Sequence, residues 1–361
     1  MERRERRWDS CEMHTYDIST LKRGDIILST SAEKPSGIIR RATKSQYSHA
    51  MLYVKNTVVH ADEDGVFTTN PQRKLFPANT SHVYRLQGVD DLAISSACQF
   101  ALNLSGSIYS IPEAILSAAL RKSEVKAISD QQYCSRLVAQ AYASAGIHLV
   151  RNPDYCFPGG LVDHSAAKIV HGATRPATPA ELALAETIDT VKIHQENTYA
   201  WLRPFAEHAR QNGFAVMTIK EAFEATVAHP ELDSILAHLL ERSGYLEDFT
   251  LDRLANPHRY DDRVFSKLLS KSDGSPYKIL RDEYVIGVDI FNNSFSHYMQ
   301  FRQIVTLRSF VLLAKLHRQR MIQARDRMKS IMTLGASDLE LYAKVKDAWS
   351  KMRAVLIDTE Q

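Results

Sequence analysis

A cysteine at the start of a helical pattern has the clearest chemical potential in this chain. Cys134 follows the polar run 130–133 and precedes an apolar helical stripe that begins at Leu137. Unpaired backbone N–H groups and the helix dipole stabilise negative charge at a helix N-terminus, so a thiol there is favoured as a thiolate. Since the thiolate is the nucleophilic form, the pattern predicts a nucleophile at Cys134.

A histidine that can serve as a base lies far upstream of this cysteine. His49 stands at the head of the predicted strand 47–54, which a two-residue turn joins to the next strand. In that register His49, His60 and Asp62 share one face, because side chains alternate between the two faces of a sheet. The register predicts His49 as general base, with either His60 or Asp62 holding its second ring nitrogen. A turn longer by one residue would move both partners to the other face.

The residues beside Cys134 are candidates for binding a developing oxyanion. The backbone N–H of Cys134 is one donor, and the side chains of Gln131 and Tyr133 are further donors or substrate contacts. Each residue also has a structural alternative. A cysteine at a helix start is commonly a small buried residue, and a histidine on an apolar strand is commonly part of the core.

Composition sets the broad class of the protein. The chain has 361 residues, of which 24% are charged and 44% apolar, as is typical of a soluble globular protein. A net charge of +3 gives no support to a nucleic-acid partner. The four cysteines are too few for a disulfide scaffold and lack metal-ligand spacing, so neither a metal nor another cofactor is predicted.

The N-terminal residues indicate the compartment. The segment Met1–Trp8 is basic and no apolar stretch follows it, so a secretory signal is not predicted. No window of the sequence has the apolar length of a membrane span. A cytoplasmic location is expected, although delivery by a dedicated export machine would leave no such mark.

The hydrophobic pattern predicts an α+β domain followed by a mostly α-helical one. Residues 1–16 are expected to form a flexible tail and 17–172 the catalytic domain, with an antiparallel sheet and packed helices. A linker is expected at 173–180, because proline and threonine cluster there before a capping-box pattern. Residues 181–361 are then a helical accessory domain.

The segment 297–330 is the most distinctive part of the helical half. It combines a broad apolar face with a strong excess of arginine and lysine, which predicts a basic amphipathic helix. Such a helix docks on an anionic membrane surface or a protein partner. The alternative is a core helix of the accessory domain with solvated arginines.

Several of these segments resemble a known group of enzymes. The residues 24–28, 48–54, 58–61 and 65–66 resemble the first half of a circularly permuted NlpC/P60 domain, and 133–138 resembles its nucleophile helix. This papain-like superfamily includes the bacterial YiiX/YebB-like hydrolases and the lecithin:retinol acyltransferase group. The resemblance covers roughly residues 18–165 and implies a circularly permuted papain-like fold for them.

The resemblance also assigns roles to the candidate residues. It implies Cys134 as nucleophile, His49 as base and His60 as the orienting residue, and it implies acyl transfer on amide, ester or thioester bonds. The expected substrate is a small acyl, peptide or lipid-like molecule. Bacterial relatives often carry a carboxylate at the position of His60, whereas the acyltransferase group has histidine there. An acyltransferase, or an inactive papain-like binding or scaffold module, is the alternative.

Overall fold

The computed structural model describes residues 13–30, 46–62, 65–106, 133–271 and 275–359. The sequence pattern also predicts short helices at 36–43 and after Pro112, and both segments lie outside these ranges. The chain divides into two compact units, Met1–Gln195 with Ala215–Ala222 and Glu196–Phe214 with Phe223–Gln361. The first unit therefore extends beyond the predicted linker.

A six-stranded antiparallel sheet organises the first unit. Its strand order is β5-β4-β3-β2-β7-β8. The strands are β2 (Ile26–Ser29), β3 (His49–Tyr53), β4 (Val58–Asp62), β5 (Gly65–Thr69), β7 (Ser81–Leu86) and β8 (Ala167–Ile169). Five of them coincide with segments that the sequence pattern predicts as strands, because these segments carry β-branched and apolar residues between turn residues.

A second, three-stranded sheet takes two of its strands from segments that the sequence placed outside the domain. Its order is β6-β1-β9, with β1 (Met13–Tyr16), β6 (Phe76–Pro77) and β9 (Thr174–Pro176). The strand β1 lies within the predicted tail, and β9 lies within the predicted linker. Both form because each pairs with a strand distant in the chain, and such pairing leaves no local signal.

Two helices of the first unit pack on one face of the six-stranded sheet. They are α1 (Asp91–Asn103) and α2 (Cys134–Ser144), which the spacing of apolar residues predicted at 90–104 and 134–145. Ala97 and Leu137 are fully buried in a core that also contains Ile26 and Leu52 of the sheet. A smaller apolar cluster with Ile27 and Met51 covers the opposite face.

From Pro179 onward the described chain is mostly helical. They are α3 (Pro179–Glu186), α4 (Thr190–Gln211), α5 (Ile219–Ala228), α6 (Asp233–Arg242), α7 (Leu251–Ala255), α8 (Asp262–Ser270), α9 (Pro276–Phe301), α10 (Arg308–Leu334) and α11 (Leu339–Asp358). The predicted class, an antiparallel α+β domain followed by a helical region, is confirmed. In the described ranges, no helix has both the length and the apolar character needed to cross a membrane.

The predicted single helix at 297–330 is wrong, because the segment belongs to two helices. The helix α9 ends at Phe301 and α10 begins at Arg308. The carboxylate of Asp233 accepts hydrogen bonds from the backbone N–H groups of Arg308 and Ser309, at 2.7 and 2.9 Å. This tertiary cap satisfies donors that the start of α10 leaves unpaired, and a local pattern cannot reveal it.

Candidate active site

The hairpin formed by β3 and β4 has the predicted register. Met51 pairs with His60 across the two strands, and the backbone N–H of Val54 donates to the carbonyl of Thr57 at 2.8 Å. Lys55 in the turn has a φ of 54°, a left-handed conformation that tight hairpin turns require. The register brings His49 and His60 to the same face of the sheet.

The two imidazoles are joined by a hydrogen bond. Nε2 of His49 lies 3.1 Å from Nδ1 of His60, and the rings meet edge to face. His60 is only 4% exposed and packs against the ring of Phe67. Burial, together with the positive charge of Lys74, lowers the pKa of His49 to about 3 and that of His60 well below its usual value. Both rings are therefore neutral at neutral pH.

Lys74 is the neighbour that sequence reasoning missed. It follows the short 3₁₀ helix Pro71–Arg73, and its backbone carbonyl accepts a hydrogen bond from Thr15 of β1. Burial lowers the pKa of Lys74, whereas the charges of Asp62 and Asp189 raise it. Asp62, predicted as an alternative orienting residue, thus interacts with the charge of Lys74. The ring of His49 is hydrogen-bonded to His60.

Cys134 is the first residue of α2, as predicted. Tyr133 occupies the N-cap position in an extended conformation, and its side chain makes no capping hydrogen bond. The thiol of Cys134 lies against β3, with Sγ 4.0 Å from the carbonyl oxygen of Ser48. The backbone N–H of Ala50 also interacts with the sulfur and stabilises its charged form.

The protonation state of the thiol differs from the sequence prediction. Burial raises the pKa of Cys134 to about 11, although backbone N–H groups of Ala50, Ser135 and Cys134 itself act in the opposite direction. The cost of removing a charged thiolate from water is larger at this position than the stabilisation that the helix N-terminus gives it, because the side chain is only 5% exposed. The predicted thiolate is therefore wrong for this structure, in which Cys134 is a neutral thiol.

The thiol and the imidazoles approach the N-terminal end of β3 from different sides. Ala50 belongs to the same apolar cluster as Cys134, whereas Met51 belongs to the cluster on the opposite face. Alternation along the strand places His49 on the face of Met51. Within the part of the chain that the structure describes, the Cys134 thiol forms no hydrogen bond with His49 or His60.

The pairing of β3 with β4 stops next to the thiol. Met51 and His60 form the last pair of the ladder at this end. Beyond that pair, the N–H of Ala50 interacts with the sulfur of Cys134. At this end β3 remains paired with β2 but no longer with β4.

The other predicted contacts lie around the loop that follows α2. The hydroxyl of Tyr133 donates to the carbonyl of Asp154 at 2.6 Å and accepts from the N–H of Cys156 at 3.3 Å. Arg136, 1% exposed, donates from Nε to the same carbonyl and lies over the ring of Tyr133. These contacts hold the loop against the start of α2. Gln131 lies outside the described residues.

The remaining cysteines and the acidic side chains do not assemble a metal site in the described ranges. No group of three or more histidine, cysteine, aspartate or glutamate residues is close enough there to hold an ion. Burial raises the pKa of Cys98 to about 11 and that of Cys156 to about 12. Cys11 lies outside the described residues.

Part of the first unit is similar to a known family. Residues 20–154 match a known family. It is described as the permuted papain-like amidase enzymes, the YaeF/YiiX or C92 family. The resemblance inferred from the sequence and the permuted papain-like fold expected for this segment are confirmed. The match supports a papain-like hydrolase.

A solved structure is also similar to part of the chain. The crystal structure of the metalloprotein YiiX from Escherichia coli O157:H7 is 20% identical, with a TM-score of 0.28. The similarity covers 44% of this chain and 99% of that one. No curated protein sequence matches the chain.

Proposed function

We propose that the protein is a cysteine hydrolase that cleaves an amide, ester or thioester bond through an acyl-enzyme on Cys134. His49 is the general base, and His60 orients it. The observation that carries the proposal is the 3.1 Å hydrogen bond between the two imidazoles at the end of β3, the strand against which the Cys134 thiol packs. The matched family, described as amidases, supports the same reaction class.

The base role requires one particular tautomer of the histidine pair. If Nε2–H of His49 donates to Nδ1 of His60, then Nδ1 of His49 has a free lone pair that can accept a proton. His60 then carries its own proton on Nε2, a buried atom with no hydrogen-bond partner in the described chain. The arrangement fixes the base in one orientation, which is the role that orienting residues have in catalytic triads.

The thiol is deprotonated during attack in this proposal. At neutral pH the proton is on the sulfur, because the pKa of Cys134 is raised to about 11 and that of His49 is lowered to about 3. His49 therefore acts as a general base when the substrate is in place, and no ion pair forms beforehand. Proton transfer from the thiol requires the His49 ring to contact the sulfur of Cys134 past the end of β3. Catalytic hydrogen bonds are often long before substrate binds.

The proposed reaction then proceeds through two acyl transfers. The sulfur of Cys134 attacks the carbonyl carbon as its proton moves to Nδ1 of His49, and the backbone N–H of Cys134 stabilises the oxyanion. Collapse of the intermediate expels the leaving group, which takes the proton from His49 and leaves a thioester. Water, deprotonated by His49, hydrolyses that thioester and restores the thiol. An acyltransferase would use a different acceptor in this last step.

A second candidate function is a binding or scaffold module on a papain-like fold. It is favoured by the neutral, buried thiol and by the absence, in the described ranges, of a hydrogen bond between Cys134 and either imidazole. The two functions differ in thiol reactivity. If the protein neither hydrolyses a p-nitrophenyl ester above the buffer background nor becomes acylated on Cys134, the module is supported and the hydrolase is not.

Hydrolysis of a p-nitrophenyl ester by cysteine variants tests the proposal. Cys134→Ala is expected to reduce hydrolysis to the buffer background, because the nucleophile is lost. Cys98→Ala is the matched control, since Cys98 is also buried and its pKa is also raised to about 11. Full activity in Cys134→Ala together with loss in Cys98→Ala or Cys156→Ala would contradict the assignment.

A further inference from the structure

The helical unit contains a cavity between two long helices. Its volume is about 320 Å³. The helix α9 contributes Asn293 and Ser294, and α10 contributes Arg320, Gln323 and Arg327. The α10 residues are three, four and seven positions apart, so they lie on one face of that helix and project toward the same space. Cavities between bundle helices are common places for small-molecule sites.

One wall of the cavity is a buried charged network. Arg327 is 4% exposed and Glu283 is 7% exposed, and Nη2 of Arg327 donates to the Glu283 carboxylate. Nε of Arg259 also donates to Glu283, at 2.9 Å. Nε of Arg327 is buried and has no hydrogen-bond partner in the part of the chain that the structure describes. The network therefore includes a donor that protein groups leave unsatisfied.

The carboxylates around the cavity already accept hydrogen bonds from protein donors. Asp252 accepts from Nη1 of Arg259 at 2.6 Å and from the hydroxyl of Tyr260 at 2.7 Å. Asp248 accepts from the side chain of Asn197 at 2.6 Å. These lining acids are therefore engaged with donors of the fold.

Arg320 is a positive charge of the cavity lining that lies near Asp248 and Asp252 of the same lining without a direct hydrogen bond to either. Its guanidinium has no hydrogen bond or ion pair to any residue in the described ranges, yet it is only partly exposed. Its positive charge adds to the burial that lowers the pKa of His317, and it opposes the rise that burial causes in the pKa of Tyr245. A guanidinium has five N–H donors in a planar fork that matches carboxylate and phosphate oxygens. Asn293 and Gln323 add amide groups to the lining of the same cavity.

We propose that this cavity binds the oxyanion group of a small organic anion, with Arg320 as the principal charged contact. Arg327, whose Nε–H has no acceptor among the described residues, is a further donor on the wall, and Asn293 and Gln323 donate hydrogen bonds. The volume is at the lower end of the range for small-molecule sites, which fits a ligand the size of a small carboxylate or phosphate ester. The site does not depend on the hydrolase proposed for the first unit.

Isothermal titration calorimetry on the full chain tests the site with two probes, inorganic phosphate and citrate. Arg320→Gln is expected to weaken binding at least about tenfold, the effect of losing one charge-assisted hydrogen bond. Lys315→Gln is the control, because it removes one positive charge from an exposed position of the same helix. Arg320→Lys, which keeps the charge but not the fork, should fall between wild type and Arg320→Gln.

The outcomes separate a specific site from general charge attraction. Weaker binding in Arg320→Gln with wild-type binding in Lys315→Gln supports the proposal, and stronger binding of one probe identifies the oxyanion class. Equal weakening in both variants would overturn it, as would no measurable binding of either probe at millimolar concentration. Thermal melting followed by circular dichroism checks that each variant is folded. If Arg320→Gln does not fold, Arg320→Lys is compared with Lys315→Gln instead.

Discussion

Nε2 of His49 and Nδ1 of His60 lie 3.1 Å apart on neighbouring strands, which makes the two rings a hydrogen-bonded pair. The pair exists because the turn at 55–56 sets Met51 opposite His60, and this register brings His49 to the same face. Both rings are neutral at neutral pH, since burial lowers their pKa values. A neutral base held by a second ring is the feature on which the proposed chemistry depends.

The orienting role of His60 predicts a specific pattern of variants. His60→Ala should lower kcat/KM for ester hydrolysis by about 100-fold, because the base loses its hydrogen-bond partner. Asp62→Ala should have a much smaller effect, and His60→Asn, which keeps a polar partner, should recover part of the activity. Full activity in His60→Ala with loss in Asp62→Ala would transfer the role to the carboxylate.

The raised pKa of Cys134 predicts how alkylation depends on pH. The thiolate fraction below the pKa rises about tenfold for each pH unit, so the iodoacetamide rate should keep rising from pH 7 to pH 10. Peptide mass spectrometry in a Cys98→Ala, Cys156→Ala background would report Cys134 separately from the other buried thiols. A rate that is constant between pH 5 and pH 8 would instead show a preformed thiolate–imidazolium pair.

The raised pKa of Cys134 also makes the free energy of unfolding depend on pH in the alkaline range. The folded-state pKa of about 11 is above the ordinary value of 9.0, so the folded protein retains a proton that the unfolded chain releases. This contribution is complete below pH 9.0 and is lost as the pH rises through about 11. Cys134→Ala should therefore show a smaller loss of unfolding free energy over that window than wild type, in chemical denaturation at each pH.

A buried ion pair in the first unit predicts a large effect on stability. Asp25 is fully buried, and its carboxylate accepts two hydrogen bonds from Arg85, each 2.7 Å long. Arg85→Met should lower the free energy of unfolding by about 3 kcal/mol, because it leaves a buried charge unpaired. Lys344→Met, which breaks an exposed pair with Glu340, is the control and should cost far less, because solvent screens that pair. Equal costs would contradict this assignment.

The cap that Asp233 forms on α10 predicts a smaller effect in the helical unit. Asp233→Ala should lower the free energy of unfolding by about 1–2 kcal/mol, because two backbone N–H groups lose their acceptor. Asp233→Asn keeps one side-chain oxygen and should lose less. Guanidinium denaturation followed by circular dichroism measures both variants, and unchanged stability in Asp233→Ala would show that the cap does not stabilise α10.

Much of the first unit could be predicted from the sequence because its signals are local. The apolar alternation of the strands and the two-residue turn gave the register of His49 and His60. The change from a polar run to an apolar stripe gave the start of α2 at Cys134. These features depend on residues close together in the chain, and elementary periodicity is enough to recognise them.

The rest depends on contacts between distant segments. The pairing of β1 with β9 and the cap on α10 join residues that lie far apart in sequence. The electrostatics of the site have the same origin. The helix N-terminus predicted a thiolate at Cys134, but enclosure by the core reverses that effect, and the approach of Lys74 to His49 leaves no sequence signal.

Peptide mass spectrometry after reaction with a p-nitrophenyl ester tests the central claim most directly, since it locates the acyl group itself. A thioester on Cys134 is expected when the reaction is quenched in acid during turnover. The adduct should be absent in Cys134→Ala and unchanged in the Cys98→Ala control. Acylation of Cys98 or Cys156 with Cys134 unmodified, or hydrolysis without any acylated cysteine, would contradict the assignment of Cys134 as the nucleophile.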